Sequence, residues 1–117
     1  MFVVFGGGLV DDILSSDECS ERLKAIADPD RLRIIQVLRL QPWCVSEIAE
    51  LLEKEIGSVS HHLQILKNRG IVETEKQGKQ VIYSLAPGVF SKGRSKNDAL
   101  DFGCCRIELP KSPPASH

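Results

Sequence analysis

Four cysteines carry most of the reactive chemistry available to this 117-residue chain. Cys104 and Cys105 are adjacent, while Cys19 and Cys44 are isolated. A vicinal pair offers two sulfurs to a soft ion with little ordering of the chain, and thiolates select soft centres. No CxxC or CxxCH occurs, so neither a zinc ribbon nor haem attachment is signalled. The apolar start Met1–Phe5 runs straight into three glycines with no basic residue ahead of it, a poor secretory signal. The thiols are therefore expected to be reduced. That leaves them three roles: metal binding, redox or persulfide chemistry, or packing as small hydrophobes.

A second group of residues suits nucleic acid. Val59, Leu63 and Leu66 recur at i, i+4, i+7, one apolar stripe of a helix. Ser58, Ser60, His61, Gln64 and Lys67 then share its outer side. Short hydroxyls permit close approach to a duplex, Gln64 can pair two hydrogen bonds with a base edge, and Lys67 suits a phosphate. Lys76 and Lys79 stand at a following turn, where a wing would meet the backbone. The formal net charge of −1 argues against a generic polyanion binder, yet the charge is uneven. Residues 1–30 hold two basic and seven acidic side chains, whereas residues 58–96 hold seven basic and two acidic. A locally positive face on a near-neutral protein is compatible with a nucleic-acid footprint.

These groups need elements to hold them. Ser15 and Glu18 have capping-box spacing and open a helix over 16–27. Asp28-Pro29 sets a capping carboxylate before a proline at the first helical position, predicting a second helix to about Leu40. Val45–Leu52 reads as a third helix, with Ile48, Ala49, Leu51 and Leu52 inward. Ser58 is expected to cap the fourth, which Asn68-Arg69-Gly70 ends. The period then switches to two: 71–76 and 80–85 flank Gln77-Gly78-Lys79 as a β-hairpin. Residues 91–99 read as loop or weak helix, and Leu100–Leu109 as a partly alternating segment whose Phe102, Ile107 and Leu109 fit a core-covering strand. Met1–Phe5 reads as a strand or dimer contact, and Pro110–His117 as a disordered tail. The expected fold is mainly α with a β-hairpin wing, a winged helix-turn-helix. Its parts are an N-terminal arm (1–14), a winged domain (15–90) and a C-terminal segment (91–117) with the vicinal cysteines.

Four stretches now match a known family in order and spacing: 23–35 (LKAIADPDRLRII), 44–52 (CVSEIAELL), 58–72 (SVSHHLQILKNRGIV) and 78–85 (GKQVIYSL). Over about residues 20–86 the chain resembles the ArsR/SmtB metal-responsive transcriptional repressors. The resemblance implies a homodimer that leaves double-stranded operator DNA when a metal ion or other inducer binds. The family often carries Cys-Val-Cys at the start of its third helix. Here Cys44 matches the first cysteine and Ser46 replaces the second. The family's carboxylate/His zinc site has no evident counterpart either, since His117 is the only histidine after residue 62.

Some arsenic sensors of this kind instead recruit a vicinal cysteine pair. By that resemblance Cys104 and Cys105, with Cys44 or else Cys19 as third thiolate, would hold arsenite or antimonite in a trigonal pyramid. A soft divalent metal is the other candidate; zinc would ask for a fourth ligand. A cytoplasmic protein with no membrane partner is expected. A thiol redox or persulfide repressor of the same fold is the alternative. A small thiol enzyme fares badly, because no nucleophile lies near a helix start with a supporting base.

Overall fold

In the computed structural model, residues 2–5, 16–91, 97–102 and 105–110 are described. They form two compact units, one of Leu23–Ala86 and one of the described segments on either side of it. Helix α1 (Ser16–Ile26) runs across the boundary between them.

The central unit is built on short amphipathic helices. Asp28 is extended (φ −143°, ψ 128°), and its Oδ1 accepts from the amides of Asp30 (2.9 Å) and Arg31 (3.1 Å). It thereby caps α2 (Pro29–Leu38), where Pro29 sacrifices no amide the helix needs. The Arg31 amide bond, partly opposed by burial, holds the Asp28 carboxyl below the usual range. Because the folded carboxyl is the more acidic one, its stabilisation is intact above the ordinary aspartate range and fades as pH falls through that range and below. Asp28→Ala should cost about 0.5–2 kcal/mol at neutral pH. Urea melts of both proteins at pH 7 and pH 3 should show the gap closing at the lower pH.

Helix α2 buries Ile34, Ile35 and Leu38 and ends at Leu38, two residues earlier than its pattern suggests. A two-residue strand β2 (Trp43–Cys44) follows, with the Trp43 indole N–H donating to the Val37 carbonyl at 3.1 Å. Helix α3 (Val45–Leu52) buries Ile48 and Ala49, but Leu51, expected inward, is exposed. Glu53 adopts a left-handed conformation (φ 55°) that ends α3. Glu55 returns to extended backbone (φ −69°, ψ 142°) and is the N-cap of α4 (Ile56–Asn68). The fourth helix therefore starts two residues before Ser58, which is not its cap. Its buried stripe is Val59, Leu63 and Leu66, as the spacing requires. Gly70 takes the left-handed value φ 73° that lets the chain turn away.

Strands β3 (Val72–Gln77) and β4 (Gln80–Leu85) pair antiparallel from Val72↔Leu85 to Gln77↔Gln80 around Gly78 (φ 63°). β2 adds to the other edge of β4 through Trp43↔Tyr83 and Cys44↔Ile82, giving the order β2-β4-β3. This is a winged helix-turn-helix, mainly helical with a hairpin wing.

The other unit contains a sheet of β1 (Phe2–Phe5), β5 (Phe90–Ser91), β6 (Asn97–Asp101) and β7 (Cys105–Pro110). Its order is β1-β7-β6-β5, all antiparallel, with Phe2↔Glu108 to Phe5↔Cys105 joining the first strand to the last. The loop or weak helix expected over 91–99 is replaced at its end by β6, because Asn97–Asp101 finds a partner in β7. Cys105, Ile107 and Leu109 alternate into the core, while Arg106 faces out. Ser15, expected to cap the first helix, and the tail after Pro110 lie outside the described residues.

Candidate nucleic-acid interface and sulfur site

Burial on α4 separates two faces. Val59, Leu63 and Leu66 are buried, and Ser58, Ser60, His61, Gln64 and Lys67 are all exposed. The Gln64 amide donates to Asn68 Oδ1 at 2.9 Å, so reading a base would exchange that bond for one to DNA. Lys76 and Lys79 are exposed on either side of the wing's turn. Lys92, Arg94 and Lys96, which also contribute to the positive stretch, fall outside the described residues.

His62 behaves differently from His61. It is half-buried, with Nδ1 3.1 Å from Arg31 Nη1 and Nε2 3.7 Å from Asp30 Oδ2. Arg31 Nε also donates to the Ala25 carbonyl. Asp28, Asp30 and His62 offer ligand atoms within 4.8 Å of one another, a geometry that could hold a cation. Positive charge already surrounds them: Arg33 lies 2.9 Å and Lys54 3.7 Å from Asp30 Oδ1. Their evident role is a strut that fixes α4 against the start of α2. Residue spacing could not reveal it, because its partners are 31 positions apart.

The cysteines divide between the units. Cys44 is buried at the start of α3, its Sγ 3.2 Å from Ser46 Oγ and its amide donating to Glu47 Oε1 at 3.0 Å. That amide bond, then the Cys44 thiol, hold the Glu47 carboxyl below its usual range. Cys44 lines an open cavity of about 360 Å³ with Ser46, Lys79 and Tyr83. The neighbour supplied where a second thiol would sit is a hydroxyl, a harder donor that suits a soft ion poorly.

In the other unit Cys19 and Cys105 are buried together, Sγ to Sγ 3.3 Å. Cys19 is disulfide-bonded and Cys105 is a free thiol. Arg22 Nη1 donates to the carbonyl of Phe102, the residue just after β6, at 3.1 Å. Burial, reinforced by the Asp101 charge, pushes the Cys105 thiol pKa up. Cys104 lies outside the described residues. Among the described cysteines the structure brings Cys19, expected only as the alternative third sulfur, next to Cys105.

An exposed polar helix face after a short helix and a turn, followed by a hairpin with two lysines, defines the helix-turn-helix class of protein. Within it, the family model described as "Bacterial regulatory protein, arsR family" matches residues 28–74. The chain is 44% identical over 63 residues to a cadmium resistance transcriptional regulatory protein CadC homolog from Staphylococcus aureus, covering 53% of this chain and 52% of that protein. Reduced HlyU from Vibrio cholerae superposes with a TM-score of 0.62 at 31% identity, over 68% of this chain and 84% of that one. A homodimeric winged helix-turn-helix DNA-binding domain from Mycobacterium bovis, a possible ArsR-family transcriptional regulator, gives 0.62 at 28% identity over 69% and 75%. The chain belongs to the arsR family. It spans about half the length of the CadC homolog it matches. No helix among the described residues is long and apolar enough to cross a membrane.

Proposed function

We propose that this chain is a cytoplasmic, homodimeric transcriptional repressor that binds double-stranded operator DNA through α4 and the β3–β4 wing. It releases that DNA when its C-terminal thiols capture a thiophilic metal or metalloid such as arsenite. The observation that carries the DNA reading is the exposed row Ser58, Ser60, His61, Gln64 and Lys67 opposite a fully buried stripe. A single short recognition helix offers little area, so two copies on half-sites about one helical turn apart supply the rest. The homodimeric relative from Mycobacterium bovis supports that arrangement.

The inducer reading rests on the buried contact of Cys19 with Cys105 and on a relative named for cadmium resistance. Cys104 is the natural additional sulfur, and Cys19 replaces Cys44 as the third. Antimonite and soft divalent metals share the required chemistry. The disulfide at Cys19 favours a second reading, in which oxidation or persulfidation of the same sulfurs is the signal.

Fluorescence anisotropy tests the DNA role directly. A duplex selected from a random library by the protein should bind far more tightly than unselected duplex, and Gln64→Ala should cost ~1–3 kcal/mol on the selected sequence alone. Equal losses on both duplexes would remove base reading from Gln64, and failure to enrich any sequence would remove the repressor assignment.

A further inference from the structure

We infer that Ile56, the first residue of α4, is a sequence-reading residue that packs against the C5-methyl group of a thymine in the major groove. The inference rests on the DNA-binding reading above and adds to it a base class and a residue. Because α4 begins three residues earlier than a cap at Ser58 would have it, Ile56 and Gly57 open the helix. Recognition helices of this class touch base edges with their N-terminal residues. Ile56 is 53% exposed, a large aliphatic side chain that the unit's own core does not use. An exposed isoleucine costs free energy in water and recovers it only against another apolar group. Beside it, a Cβ built on Gly57 would meet nothing within 4 Å, and Ser58 presents only a hydroxyl, so the first turn is slim enough for close approach. In the major groove the only apolar group on a base edge is the thymine methyl.

The test replaces each thymine of the selected duplex, one at a time, with deoxyuridine, which removes that methyl and nothing else. Binding is measured for the wild-type chain and for Ile56→Ala. At one thymine per half-site the wild type should lose about fourfold in affinity, the equivalent of one buried methyl-sized group. Ile56→Ala should show a similar loss on the intact duplex and no further loss on deoxyuridine at that position. Equal deoxyuridine penalties in both proteins, or an Ile56→Ala variant that binds the intact duplex as the wild type does, would overturn the inference. Unchanged affinity of Ile56→Ala for unselected duplex verifies that the variant is folded. If no sequence can be selected at all, the DNA-binding reading fails first, an outcome distinct from a selected site without a thymine contact.

Discussion

Cys105→Ser should leave DNA affinity unchanged without inducer and abolish release by arsenite. A trigonal thiolate site fails when any one sulfur is removed, whereas the proposed DNA face belongs to α4 and the wing. Cys19→Ser should behave in the same way, because its sulfur lies 3.3 Å from that of Cys105. Cys44→Ser should respond normally. Cys19 is disulfide-bonded in this structure, so the titration needs protein reduced with a phosphine, since dithiol reductants compete for arsenite. The buried Cys105 thiol, its pKa raised, must lose its proton to solvent before it can ligate a divalent metal such as cadmium. Affinity for such a metal should therefore rise as pH rises through neutrality toward the thiol's own range. Arsenite, whose hydroxyls leave as water with the thiol protons, should show no such rise. Release by polysulfide or peroxide but not by arsenite would transfer the assignment to a redox switch. Normal responses from a Cys104→Ser/Cys105→Ser double variant would make the pair structural.

The second large effect belongs to the wing. Lys76→Glu/Lys79→Glu should weaken binding to selected and unselected duplex alike, roughly sixtyfold at 0.1 M salt, because each phosphate no longer neutralised forfeits about eightfold there relative to 1 M. The slope of log affinity against log salt should flatten by about two in the same titration. A loss confined to the selected sequence would show instead that these lysines read bases. Both side chains are exposed, so neither substitution disturbs the core.

What the sequence disclosed and what it withheld follow from the range of the interactions involved. Asp28-Pro29, the Val59/Leu63/Leu66 stripe and the turn at Gly78 are local, and each appears where the pattern places it. The start of α4 departs from its pattern even though Ser58 is a good capping residue. The left-handed Glu53 and extended Glu55 restart the helix earlier, and no propensity encodes that. Two residues of β2 are too few to show a period. β1 finds β7 about a hundred positions away, and Cys19 finds Cys105 across 86. Such pairings are products of tertiary structure, so residue types could nominate the sulfurs but could not choose among them.

The strand β2 has a thermodynamic consequence for the wing. A lone two-stranded hairpin is marginal in water, and fixing a backbone residue costs about 1–2 kcal/mol. Here Trp43 and Cys44 give β4 a partner on its second edge, tying the wing to the start of α3 within one unit. The loss of backbone freedom is met when the chain folds, before any duplex arrives. In the proposed DNA-binding role the wing would reach a duplex already shaped, and the attraction of Lys76 and Lys79 for phosphates would not be consumed in assembling the strands that carry them.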